Sequence, residues 1–277
     1  MLTQSLPAWL FTAFLIFAPS AFADPGKNHT TPAPVALPFQ AGEKLTYDIS
    51  WSNIIHAGTA VMEVREEQNS DGRMVFHLIS RATSTGVLDR FYKVSDTIES
   101  YIDGEHLYSL SYHLDQTHGK RHKTRDMRFD HGKGTVVVLS DGISQTYSVP
   151  ENVQDALSSL YFVRTRRDFI AGKPITVNVH EDDKTWGVEV QTLGRERIRT
   201  PAGEFDTIKI KTYPRYDGVF QNRGEIYIWF TDDARKIPVL MKSTITIGTI
   251  VSTLVELKGG ESQHDPAIRS KTPQRNH

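Results

Sequence analysis

Strict alternation of apolar and polar side chains constrains this chain more than any other feature. Leu45, Tyr47, Ile49 and Trp51 share one face of an extended segment, with Thr46, Asp48 and Ser50 on the other. The same period of two marks Val61 to Arg65, Met74 to Ser80, Val94 to Ile102 and Leu107 to Leu114. Asp71-Gly72, Asp103-Gly104 and Asp141-Gly142 separate apolar runs, and Asp-Gly supplies the positive φ angles of tight hairpins. Val136 to Leu139 and Ile226 to Phe230 are continuously apolar, which predicts strands covered on both sides. Val239 to Leu257 reads as one long strand region broken by Gly248, a place for a bulge or bend.

One segment changes period. Between Val149 and Arg164, the residues Val153, Ala156, Leu157, Leu160 and Tyr161 recur at helical spacing. Ser148 and Glu151 fit a capping box at its start. The expected fold is therefore mainly β: a curved antiparallel sheet, or a partly open barrel or sandwich, with one substantial helix. On that helix Leu157, Tyr161 and Arg164 share a face and Asp155 lies nearly opposite. The expectation is that the Leu-Tyr face packs into the mouth of the sheet while Arg164 reaches solvent or an anionic head group; a snorkelling Arg without a ligand is the simpler alternative.

The ends of the chain are of different composition. Leu6 to Ala18 is apolar apart from Thr12, too short for the roughly 20 residues a spanning helix needs. Ala21-Phe22-Ala23 follows it, which predicts a cleavable signal peptide over 1–23, although no Lys or Arg precedes the apolar run. Residues 24–37 carry Pro25, Pro32 and Pro34 and read as a solvated leader. A single β domain is expected over 38–258, with a polar unstructured tail over 259–277. Export to the periplasm follows from the signal, and the mature chain is expected to lack a transmembrane segment. The formal net charge of −1 argues against nucleic acid as a partner. With no Cys there is no disulfide framework, so an ordinary apolar core must hold the fold.

These segments resemble the bacterial exported proteins grouped as domain-of-unknown-function family 3108. The resemblance rests on Pro38-Phe39, Gly42-Glu43, Leu45, Tyr47, Trp51 and Gly58; on Asp155 to Tyr161 with Arg164; on Pro201 to Phe205; and on Gly224, Trp229, Thr231 to Asp233, Arg235, Pro238-Val239 and Gly248. It implies an exported β protein and carries over no activity, substrate or catalytic residue.

No enzymatic chemistry stands out, and no cofactor is expected. There is no Cys nucleophile, no G-x-S-x-G elbow and no H-E-x-x-H. His113, His118, His122 and His131 could approach a metal, but Lys120, Arg121, Lys123, Arg125 and Arg128 crowd the same stretch, and a solvated basic hairpin is the plainer reading. Arg195, Arg197 and Arg199 share one strand face, as expected of a wet surface. Asp232-Asp233 has turn composition. The candidate ligand-binding residues are the aromatics Tyr47, Trp51, Tyr161, Tyr227 and Trp229, with Arg164; the aromatics either line a cavity in a curved sheet or fill its core. The preferred function is binding or carrying an apolar or amphiphilic envelope-derived ligand, with an envelope lipid or polysaccharide as partner. The alternative is a structural or assembly factor that contacts another envelope protein.

Overall fold

The computed structural model describes residues 37–52, 54–86, 89, 92–216, 219–220, 225–245 and 248–259. The segment expected to be a signal peptide, all of the expected leader but Leu37, the tail beyond Gly259, Phe91 and Gly224 lie outside the described residues.

Among the described residues fifteen strands form one antiparallel sheet. The first half is β1 (Lys44–Trp51), β2 (Ile55–Gln68), β3 (Met74–Ser84), β4 (Val94–Asp103), β5 (Ser109–His118), β6 (Arg121–Asp130), β7 (Thr135–Ser140) and β8 (Ile143–Ser148). Helix α1 (Ala156–Arg164) follows. The second half is β9 (Ile175–Glu181), β10 (Lys184–Thr200), β11 (Gly203–Tyr216), β12 (Val219–Phe220), β13 (Glu225–Thr231), β14 (Pro238–Ile245) and β15 (Gly248–Lys258). Each half is an up-and-down meander, and β1 pairs with β15 to join them. The two outer edges, β8 and β9, are thus neighbours in sequence, and α1 connects them.

The sheet curls so that its edges approach. Gln154 pairs with β9 through two backbone bonds, Gln154 N to Asn178 O and His180 N to Gln154 O, each 2.8 Å. Ser109 N of β5 donates to Val153 O (3.2 Å). Helix α1 packs against β3, β4 and β9. The concave face takes alternate residues of most strands, and its buried side chains form one continuous core.

Most alternating segments fold as their pattern demands. Asp141 and Gly142 both take positive φ (50° and 82°), the twist that a two-residue hairpin requires. Three details differ. The helix begins at Ala156, not Val149: its N-cap is Asp155, whose side chain accepts from Leu157 N and Ser158 N, while Ser158 bonds back. Val137 and Leu139 are exposed, because β7 is covered on its inner face alone. Val239 to Leu257 is a hairpin of β14 and β15, with Ile245 opposite Gly248. A Cβ on Gly248 would strike the Trp51 indole, so the glycine lets that ring lie over the backbone.

Candidate functional site

The helix is fixed at both ends by buried charge. At its start Asp155 is fully buried and accepts hydrogen bonds from Ser100 Oγ (2.5 Å) and Ser109 Oγ (2.6 Å) as well as the two cap amides. Burial raises its pKa, and these bonds oppose the rise. At its end Arg164 is 1% exposed. Its Nη1 donates to Glu43 Oε1 (2.6 Å); its Nη2 donates to Glu43 Oε2 (2.7 Å) and Pro38 O (2.9 Å). Nε and Nη2 reach Arg235 O (3.2 and 3.1 Å). Burial pulls the guanidinium pKa down, but Glu43 outweighs it and holds it above its ordinary value.

Arg164 therefore does not reach solvent or an anionic head group, as its helical position suggested. Its charge is neutralised inside the protein by Glu43, 121 residues earlier. Tyr161 and Phe39 pack beside it, their rings 5.1 Å apart and perpendicular. This end of the interior is filled.

Toward the middle of the interior the filling stops. A cavity of about 150 Å³ lies between α1 and the concave face. Leu157 and Leu160 form its roof; Tyr47, Met62, Ala82 and Ile98 line one side, and Ile228, Met241 and Ile250 the other. Small inward residues create it: Ala60, Ser80, Ala82, Ala156, Ser243 and Ser252 stand where larger side chains would close the space. The volume matches that of cavities which accept a benzene-sized guest, about 150 Å³. It thus suits one ring or a short acyl segment; whole drug-sized ligands occupy roughly 300–1,000 Å³.

Of the aromatic candidates, the structure brings Tyr47 alone to this cavity. Tyr47 is fully buried and donates its hydroxyl to Pro238 O (2.8 Å). Trp51 lies against Gly248, outside the lining. Tyr161 packs in the filled end. Tyr227 and Trp229 project from the opposite phase of β13 to Ile226 and Ile228, which line the cavity. Trp229 donates to Glu196 (2.6 Å) beneath Lys209 and Lys242, whose ammonium groups sit 4.8 and 5.3 Å from its ring centre. Trp229 is buried within the core cluster with Tyr227 packed against it, and neither ring lines the cavity.

A polar group borders the cavity. Asp96 of β4 is 3% exposed and lines it. Asp96 Oδ2 accepts from His118 Nε2 (2.9 Å) and Gln116 Nε2 (3.3 Å) of β5. Pattern reading missed Asp96 and Gln116, yet left a signal. Both interrupt apolar phases, Asp96 before Ile98 and Gln116 after Leu114, where burial demands a partner.

The basic hairpin divides in the same way. Arg125 is buried and Lys123 half-buried, on the inner face of β6, while Arg121 and Arg128 are exposed. This corrects the solvated reading of that stretch. Asp182, in the turn between β9 and β10, forms ion pairs with both inner cations. The four imidazoles take separate partners: His113 bonds Asp126, His118 Asp96, His122 Asp115, and His131 the Ser109 carbonyl. No three metal-ligating groups converge among the described residues. Arg195, Arg197 and Arg199 sit exposed, paired with Asp232, Asp206 and Glu204. Asp233 organises its turn, accepting from Arg235 N (2.9 Å) and Lys236 N (3.1 Å).

Burial pushes Glu181 up to about 8, against the pull of Arg125 and Lys123. Burial, helped by Arg125, pushes His180 down to about 4. Folding thus favours protonated Glu181, and the stability from this is lost as pH rises toward and through about 8. It also favours neutral His180, and that stability is lost as pH falls from 6.5 toward about 4. Glu181→Gln is expected to raise the melting temperature well above pH 8 and to leave it nearly unchanged near pH 5; equal shifts at both would contradict this origin.

A solved structure described as a β-barrel-like protein of domain-of-unknown-function family 1849 from Brucella abortus is similar, with a TM-score of 0.54 at 12% identity. The match covers 81% of this chain and 98% of that one. A candidate lipoprotein from Parabacteroides distasonis aligns at a TM-score of 0.36 and 13% identity, covering 80% of this chain and 97% of that one. No curated protein sequence matches. The first of these likenesses agrees with the barrel-like curl of the sheet. At residues 46–255 the sequence matches the model of a protein family of unknown function, DUF3108, and the chain belongs to that family.

Proposed function

We propose that this is a non-enzymatic, exported protein of the bacterial cell envelope that binds or carries a small apolar or amphiphilic ligand derived from that envelope. The cavity beneath α1 carries the reading. An interior of this size normally packs without voids larger than a water molecule. Here the sheet presents small residues at several adjacent inward positions, under a helix anchored by two buried polar networks. That combination keeps an apolar space open. The apolar N-terminal run ending in Ala21-Phe22-Ala23 supports export.

Native mass spectrometry of protein exported with its own signal, followed by organic extraction, tests this. A reproducible bound mass is expected, and Ala82→Leu should abolish it by filling the cavity without lowering the melting temperature. A clean apo mass under mild conditions would overturn the proposal. An assembly role has one observation in its favour. Val137 and Leu139 are exposed on the outer side of β7, beside the open edge of β8. Capture of a specific envelope protein through that edge, lost on Val137→Lys, would support it.

A further inference from the structure

We propose that the ligand of this cavity carries a hydroxyl group, donated to Asp96 Oδ1. This inference rests on the cavity being a ligand site and names the chemistry of what fills it.

Among the described residues Glu43, Asp96 and Asp155 are the carboxylates at 3% exposure or less, and they differ in one respect. Glu43 uses both oxygens on Arg164. Asp155 uses both oxygens on two serine hydroxyls and two backbone amides. Asp96 uses Oδ2 twice, and its Oδ1 is buried without a protein partner. Leaving a buried charged acceptor unsatisfied is costly, so such atoms are rare unless something else satisfies them. His118 and Gln116 bond the same oxygen and hold the carboxylate in place.

Asp96 lines the cavity, but its free oxygen has almost no surface open to it, so a guest that bonds it must part the wall there. On the opposite side Ser243 Oγ is likewise buried without a partner and lines the same space. The cavity therefore has an apolar body, an unpartnered acceptor within one wall, an unpartnered hydroxyl within the other, and Lys242 also in its lining. A group that donates to Asp96 complements it. A neutral hydroxyl fits better than an ammonium, because dehydrating a full charge in so small an apolar space costs more than the pairing returns. A carboxylate or phosphate would face Asp96 with like charge, and Lys242, which also lines the cavity, holds its ammonium over the Trp229 ring.

The test uses three guests of nearly equal size on the full-length mature protein: benzene, fluorobenzene and phenol, followed by calorimetry or ligand-observed NMR. Phenol is expected to bind about tenfold more tightly than fluorobenzene, the value of one hydrogen bond to a charged acceptor. Asp96→Asn should shrink that advantage and leave benzene binding unchanged; Ser243→Ala should keep most of it. If phenol and fluorobenzene bind equally, the hydroxyl assignment is overturned while the cavity remains a ligand site. That is also the result if a bound water satisfies Oδ1. If none of the three binds, the cavity reading itself falls. Should Asp96→Asn fail to fold, the wild-type guest series decides alone.

Discussion

Arg164→Met is expected to destabilise the protein by about 3–5 kcal/mol, the largest loss from any single replacement considered for this chain. Met conserves much of the side chain's volume and leaves the Glu43 carboxylate buried at 2% exposure with its guanidinium partner gone. The Pro38 and Arg235 carbonyls lose their donor as well. A stability of roughly 5–15 kcal/mol is usual for a folded domain, so the variant would sit near the edge of folding at moderate temperature. The double variant Glu43→Leu with Arg164→Met removes both charges and should recover most of the loss. Urea unfolding of the wild type and the variants measures this. A double variant as unstable as the single one would mean that shape, not charge pairing, sets the cost.

The second large effect is expected at the other end of the helix. Asp155→Ala removes the N-cap, worth about 1 kcal/mol. It also strips the acceptor from the buried hydroxyls of Ser100 and Ser109. Together the loss should be about 2–4 kcal/mol. Because Asp155 ties α1 to β4 and β5, the loss should also loosen the roof of the cavity. Hydrogen exchange should rise first at the amides of Leu157 to Tyr161, whereas a uniform rise over the whole sheet would argue for global unfolding alone.

How far the fold could be read from the sequence depended on range. Hairpins such as β7–β8 are written in adjacent residues, and Asp141-Gly142 marked that turn, although the apolar run Val136 to Leu139 misled on which faces of β7 are covered. The helix was visible from its period, but its start was not. Ser148 and Glu151 satisfy the capping-box pattern, yet Asp155 and Ser158 form the box, because a buried hydroxyl pair on β4 and β5 fixes the cap there. Arg164 was read as a candidate ligand contact and given the wrong surroundings. Its partner lies in the turn before β1, and no local pattern ties Ala41-Gly42-Glu43 to the helix. The similar Ala202-Gly203-Glu204 makes the point, since its Glu204 is exposed and pairs with Arg199. Residue type left open whether the aromatics line a cavity or fill the core, because the inward phase of each strand decides membership. By that criterion Tyr47 belongs and Trp229 does not.

The pairing of β1 with β15 sets the order in which this molecule can be completed. Every other neighbouring pair in the sheet joins strands close in sequence, so each can form as a local hairpin or meander. This seam alone links the two ends of the body, Lys44 opposite Lys258. Closing so long a loop costs on the order of 5 kcal/mol of chain entropy, which nothing offsets until both meanders are in place. Until the final strand emerges, β1 keeps one side unpaired, open to strands of other chains. Refolding should therefore show a slow, concentration-sensitive last phase. A chain cut short before Gly248 would leave that seam open for good, and aggregation rather than a smaller folded unit is its expected fate.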